Sequence, residues 1–313
     1  MKIRWIDDIR REKILFDPNN QEWVKHIEIS NEFNAYWFIL IQNSSMPGYY
    51  FTSVNEISEE NECYVHLFVT DKTYKYLSNL NYVFKNLEER LKGEEIKIIY
   101  VEFISSLENL FENIHNNFTC GFPEWKSVVT LLEKPLCTDE KIPRNNNSEF
   151  NIREYVPSDE ENILDCLTKA YITGLSASGE KLSELNAKKI ETKVRELYIP
   201  LKNENRIILV CEKGKEFCGH ISYEINEEST EKVAELLDVF VLEKFQSKGL
   251  ARLLSQYGED VCRRRKIQKI RGNIVSNSEN EENLLKNLKQ SGWIVISKVY
   301  AKLIGGNALC QSH

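Results

Sequence analysis

Hydrophobic and polar positions in residues 150–304 switch between two periods, and the switches mark the elements. Phe150–Tyr155 reads as a short strand. Ser158 with Glu161 three residues later has the form of a capping box, and Ile163, Leu164, Leu167, Ala170 and Tyr171 then recur at helical spacing. A second helix-like stretch covers Ser183–Leu197. The apolar runs Arg206–Cys211 and Cys218–Ile225 flank Lys213-Gly214-Lys215, which predicts a hairpin. Strand Glu235–Val241, a loop to Lys248, and a helix with Leu250, Leu253, Leu254, Tyr257 and Val261 on one face come next. Strand Ile270–Val275 precedes a helix over Glu281–Gln290 with Leu284, Leu285 and Leu288 turned inward. Gly292 stops that helix, and Trp293–Ile304 is the last strand. The order β-α-α-β-β-β-α-β-α-β predicts an α/β fold, a mixed sheet flanked by helices.

The front half carries the same series of elements. Trp37–Ile41 matches Ile207–Cys211, Tyr49–Asn55 matches His220–Asn226, and Tyr64–Val69 matches Leu236–Val241. Lys97-Ile98 and Lys269-Ile270 open the next apolar run, and Gly121-Phe122 and Gly292-Trp293 start the final strand. The offset stays between 170 and 172 residues throughout, while few identities are shared. A collinear series of this kind predicts a duplicated domain. Pro135, Pro143 and Asn145-Asn146-Asn147 mark the linker, so the expected division is 1–134, a linker at 135–149, a second domain at 150–304, and a frayed tail at 305–313.

Length and charge agree with two domains. The chain has 313 residues and a formal net charge of −7. Residues 1–145 hold 16 basic against 23 acidic side chains, so the whole imbalance lies in the front half. An acidic chain lacks the footprint of a nucleic-acid binder. The charged start, Met1-Lys2-Ile3-Arg4, and the short longest apolar run, Ala35–Ile41, predict neither a signal peptide nor a membrane helix. The eight cysteines include no C-x-x-C pair. They are expected to be reduced, core-filling thiols of a cytoplasmic protein without a metal site.

The chemistry concentrates in Leu237–Leu254. There a strand enters a loop containing Gly249 that opens a helix, so several backbone N–H groups converge at a helix N-terminus. Such a terminus binds phosphate through unpaired donors and the positive end of the dipole. Gly249 and Ala251 are small enough to let a diphosphate approach, and Lys248 and Arg252 add positive charge. A tight strand–helix turn without a ligand has the same spacing.

Gln246-x-x-Gly249-x-Ala251, between a strand and an amphipathic helix, resembles the Q/R-x-x-G-x-G/A acetyl-CoA motif of the GNAT superfamily of N-acetyltransferases. The element order of 150–304 is also similar to that fold, including the Gly292-Trp293 step. The resemblance implies two GNAT-like domains in tandem, with acetyl-CoA as co-substrate. It implies that the backbone of Gln246, Ser247, Lys248, Gly249, Leu250, Ala251 and Arg252 holds the CoA diphosphate. Val239, Phe240 and Val241 would pair with the pantetheine arm like a strand edge, with an N–H near Val241 facing the thioester carbonyl. In the front half, Tyr74–Asn79 stands in place of the loop without a glycine, which implies a degenerate copy.

An alkylammonium must lose a proton before it attacks a thioester. Glu235 stands where some members of the superfamily carry their base, and Asp238 competes. The two differ by an odd number of residues and face opposite sides of an ideal strand unless a bulge intervenes. The tyrosine that serves such enzymes as general acid is replaced by Leu288, leaving Tyr300, Tyr223 or water. The back half has 20 more residues before its hairpin, including Thr173–Gly179, which reads as a loop over the acceptor. Arg263-Arg264-Arg265-Lys266 reads as a solvated helix end or a contact for the CoA 3′-phosphate. These features predict transfer of an acetyl group to the primary amine of a small molecule, with no nucleic-acid or membrane partner. A non-catalytic CoA-binding module and an aminoacyl-tRNA-dependent transferase are the alternatives; the oligomeric state is left open.

Overall fold

A computed structural model describes residues 2–6, 38–42, 62–68, 84–85, 88–89, 98–104, 124–137, 149–177, 184–199, 203–228, 231–275 and 281–303. The chain forms two compact units, Met1–Thr130 with Val295–His313, and Leu131–Ile294. They do not follow the division expected from chain order, because the strand that ends the second half groups with the first. Tyr74–Asn79, the Tyr49–Asn55 strand, the Asn145-Asn146-Asn147 linker and the tail lie outside the described residues.

In the first unit, β1 (Lys2–Ile6) pairs antiparallel with β2 (Phe38–Gln42), and β3 (Glu62–Phe68) pairs parallel with β4 (Ile98–Ile104). The second neighbour of β4 is the chain's last strand, β11 (Ile294–Leu303), antiparallel from Ser297↔Ile104 to Leu303↔Ile98. Tyr300 is fully buried there, edge-on to Phe103 at 5.6 Å between centroids.

The second unit has the strand order β5-β10-β9-β8-β7-β6. Its strands are the end of β5 (Lys126–Pro135), β6 (Asn151–Glu154), β7 (Arg206–Lys213), β8 (Glu216–Glu228), β9 (Glu231–Val241) and β10 (Lys269–Val275). β6 to β9 pair antiparallel in succession, and β9 pairs parallel with β10. β5 is tied to the start of β10 by Leu136 N–H to Gln268 O at 2.8 Å and by Arg271 donating to Glu133 at 3.0 Å. The pairing senses repeat between halves: β1–β2 and β6–β7 are both antiparallel, and β3–β4 and β9–β10 are both parallel.

Helices cover both faces of this sheet. Ile163, Leu164 and Leu167 of α1 (Glu160–Ala177) and Ile190 and Val194 of α2 (Glu184–Tyr198) pack with Ile208 and Val210 of β7. On the opposite face, α3 (Leu250–Arg264) buries Leu250, Leu253, Leu254, Val261 and Cys262. Tyr223 of β8 lies across Gly258 of α3, where an added Cβ would come within 2.3 Å of the Tyr223 hydroxyl.

Several expectations are corrected. The capping box at Ser158 is replaced by a 3₁₀ turn, Pro157–Asp159, in which Asp159 accepts the Val156 N–H at 2.9 Å and a fork from Arg153 at 2.7 and 2.9 Å. A carboxylate that ion-pairs as well as capping outcompetes the serine hydroxyl here. Thr173–Ala177 is the last turn of α1 rather than loop. Tyr257 of α3 is 42% exposed, and α4 (Glu281–Gln290) buries no residue, Leu284 being 43% exposed. Arg264, Arg265 and Lys266 are exposed as a helix end should be. Arg263 instead folds back to Glu259 and the Cys137 carbonyl. The described cysteines are free, and burial pushes the Cys166, Cys211 and Cys262 thiols up to about 12, which makes them core rather than reactive groups. No described helix is long and apolar enough to cross a membrane.

The contact at Gly258 is testable. Gly258→Ala forces the buried Tyr223 ring to move, an overpacking cost of about 1–3 kcal/mol. Urea denaturation of the full chain should show that loss, and an unchanged midpoint would contradict the packing.

Candidate active site

The site begins with an interruption in strand pairing. β9 keeps β8 as a partner along its length, but it meets β10 only at Lys269↔Val233, Ile270↔Ala234 and Arg271↔Glu235. From Leu236 to Val241 the side of β9 that should face β10 has no strand partner among the described residues. Glu235–Val241 is accordingly half-exposed, although β9 lies inside the sheet order. An unpaired backbone edge accepts an extended ligand in the manner of an added strand.

The groups on that edge follow from alternation. Leu242 donates its N–H to Cys218 O at 2.9 Å, toward β8. The Phe240 N–H therefore also turns to β8, while those of Val239 and Val241 turn to the open edge. Phe240 is thus placed with its backbone groups on β8. Gly219 lets the strands close at this end: a Cβ there would meet Phe240 O at 2.3 Å.

The loop after β9 carries the chain onto α3. Gln246 reaches back to donate its Nε2 to the Val241 carbonyl at 3.1 Å. Ser247 (φ 60°) and Gly249 (φ 77°) are both left-handed, a conformation that costs a non-glycine residue free energy and is found at ligand loops. Gly249 is the N-cap of α3 and offers no side-chain cap; the first helical bond is Leu253 N–H to Gly249 O at 3.0 Å. The Leu250, Ala251 and Arg252 N–H groups are left as the free donors of a helix start. A Cβ built on Gly249 meets nothing within 4 Å, so the space above the loop is open. Leu250 anchors the helix in the core, whereas Ser247, Lys248, Ala251 and Arg252 are exposed. Free amides, a positive dipole end, two cations and an open approach suit a diphosphate, and the adjoining edge suits an amide-bearing arm.

The carboxylates lie on the α1–α2 face. A β-bulge interrupts β8–β9: Glu224 pairs with Glu235 and Tyr223 with Leu236, but Ser222 pairs with Asp238, leaving Leu237 as the extra residue. Glu235 and Asp238 therefore share a face despite their odd spacing. Their surroundings differ. Glu235 is 34% exposed, with the Arg271 guanidinium at 3.8 Å. Asp238 is 13% exposed; its Oδ1 accepts the Ser222 hydroxyl, and its Oδ2 lies 2.5 Å from Nε2 of His220. That second approach is a close contact without a directed hydrogen bond, and Nδ1 of the fully buried His220 has no partner among the described residues.

Of the expected proton donors, Tyr223 lies on the opposite face of this sheet. Tyr300 belongs to the first unit, and Tyr223 is held against α3, where burial raises its pKa well above the ordinary value. Leu288 is half-buried on α4. Tyr198 of α2, which the sequence reading missed, has its pKa raised first by burial and then by the nearby Asp238 carboxylate. Ser222 and His220 were also missed. Their signal was polar residues at 220, 222 and 224, alternating with Ile221 and Tyr223 on a strand whose other face is core. A polar cleft of about 530 Å³ lies by the β7–β8 turn, lined by Arg153, Asp159, Glu212, Lys215, Glu216 and Lys244. Its side chains balance in charge, and it lacks the uncapped amides of the α3 loop.

The acetyltransferase (GNAT) family model matches residues 179–286, the stretch that holds the loop and the open strand. Residues 179–286 are a GNAT acetyltransferase domain. No curated protein matches the sequence. Among solved structures, a GCN5-related N-acetyltransferase from Sphaerobacter thermophilus is 12% identical, over 98% of this chain and 98% of that one, with a TM-score of 0.51. A tandem GNAT protein from the clavulanic acid biosynthesis pathway is 7% identical, over 98% of this chain and 100% of that one, also at 0.51. At such identities the likeness is one of fold, a mixed α/β architecture built on a mixed sheet. In this GNAT domain, Gly249→Ile should lower acetyl-CoA affinity at least tenfold, about 1.4 kcal/mol. The chain should stay folded, with a backbone-strain cost of about 1–3 kcal/mol. Calorimetry showing unchanged affinity would place the cofactor elsewhere.

Proposed function

We propose that the chain transfers an acetyl group from acetyl-CoA to the primary amine of a small molecule, directly and with both substrates bound. The observation that carries this reading is the continuity of the open β9 edge with the uncapped N-terminus of α3. One feature fits an extended amide chain and the other fits its diphosphate. Acetyl-CoA supplies an activated thioester carbonyl when bound.

The chain's own residues have distinct parts in this reading. The amides from Ser247 to Arg252, with Lys248 and Arg252, hold the diphosphate, and Gln246 fixes the loop to the strand. The Val239 and Val241 N–H groups face the open edge, where Val241 can stabilise negative charge on a carbonyl oxygen. Glu235 is the proton acceptor for the ammonium: it is more exposed than Asp238, whose Oδ1 accepts the Ser222 hydroxyl and whose Oδ2 is buried against His220. Free thiols buried in the core support a reducing, cytoplasmic setting.

The test is thiol release from acetyl-CoA across a panel of primary amines, paired with calorimetry. Glu235→Gln is expected to slow the reactive amine by about 10²–10⁴-fold at unchanged acetyl-CoA affinity. An unchanged rate would remove Glu235 from the role. Binding without turnover on any amine would favour a non-catalytic CoA-binding module.

A further inference from the structure

The β8–β9 ladder has one residue too many on β9, and the position of the surplus is a choice. Between Glu224↔Glu235 and Gly219↔Val241, β8 advances five residues and β9 six. Both ends are pinned, the far one by Leu242 N–H on Cys218 O and by the close backbone approach at Gly219. A bulge must therefore lie between them, yet the pins leave open whether Leu237, Val239 or Phe240 is the extra residue. The polar groups settle it. With Leu237 extra, Asp238 faces α1 and α2 and meets Ser222 and His220. With the bulge moved toward Val241, Asp238 would pair with Ile221 and turn its carboxylate onto the α3 face, beside Tyr223 and the buried leucines. An unpaired buried carboxylate is costly there, and a residue-by-residue flip of facing is the usual result of shifted register.

We propose that Asp238 is a positioning residue: held by Ser222 and His220, it pins the bulge at Leu237 and thereby turns the Val239 N–H to the open edge. The backbone consequence is local. Moving the bulge past Asp238 would send the Val239 N–H to β8 and the residue-238 N–H to the edge, while Val241 and Leu242 keep their directions. Glu235 precedes the bulge and keeps its facing. Asp238 thus acts through the backbone it places, which accounts for a buried Asp–His–Ser group beside the more exposed Glu235. The functional part of this proposal, that the Val239 N–H serves a bound acyl-CoA arm, rests on the reading above.

Residue-resolved amide hydrogen exchange on the full chain tests the pin without any substrate. In the wild type the Asp238 amide is expected to exchange slowly and Val239 fast, at least an order of magnitude apart. Asp238→Asn keeps an acceptor for Ser222 and should retain that contrast. Asp238→Leu removes the preference and should abolish or invert it, with Val241 and Leu242 unchanged. If the leucine variant fails to fold beside an unpartnered imidazole, the double variant His220→Leu with Asp238→Leu gives the same readout. A folded leucine variant with the wild-type contrast would overturn the proposal. Acetyl-CoA calorimetry on the same proteins separates the two claims. Weaker binding in the leucine variant, restored in the asparagine one, supports the functional part. A wild type that binds no acetyl-CoA sinks the acyl-CoA reading and leaves the exchange result standing as the test of the pin.

Discussion

A strand inside a sheet normally has both rows of backbone groups taken; among the described residues, β9 has one row taken along its length and the other for three residues only. The site follows from that shortfall. Backbone donors that water cannot fully serve and no strand completes are a standing invitation to an extended polar ligand. The same strand delivers the chain to α3, whose first amides are uncapped because its N-cap is a glycine in the left-handed region. Two sets of unsatisfied donors, one linear and one convergent, are therefore joined by eight residues of chain. Their joint shape, more than any side chain, specifies what binds.

The sheet around β9 supplies rigidity in proportion to what is missing on one side. Tyr223 locks β8 to α3 at Gly258, and the Val210–Leu167–Ile190 cluster fixes α1 and α2 on the other face. The edge of the second unit beyond β10 is completed by the end of β5, a strand that closes the first half of the sequence. Correspondingly, β11 closes the ladder of β4 in the first unit. Each half thus contributes its final strand to the unit named for the other. Dividing the chain between 135 and 149 would take β11 from β4 and the end of β5 from β10.

Much of this was legible in the sequence because burial is periodic. The strands β7 to β10, the hairpin at Gly214 and the helix after Gly249 all show in the spacing of apolar residues. The offset between the halves shows there too, and β1–β2 shares its antiparallel sense with β6–β7, as β3–β4 shares its parallel sense with β9–β10. The loop was legible because a glycine at a helix start has few structural uses. What periodicity could not show was pairing between distant segments. The exchange of β5 and β11 leaves both strands with ordinary strand patterns. The bulge at Leu237 is equally silent, since Leu236-Leu237 reads as continuous core. Its trace was the pair of acidic residues at odd spacing, which makes sense only when one residue is inserted between them. Tyr257 and Leu284 misled for the opposite reason: an apolar residue at helical spacing need not be covered, Tyr257 on a helix otherwise packed on the sheet and Leu284 on one that buries no residue.

A crystal structure of the full chain with a non-hydrolysable acetyl-CoA analogue tests the central claim most directly. The expected result is a diphosphate against the amides of Ser247 to Arg252 and an arm hydrogen-bonded to Val239 and Val241 along the open side of β9. An analogue seated elsewhere, in the polar cleft by the β7–β8 turn for instance, or a β9 edge left free with the analogue bound, would contradict the account.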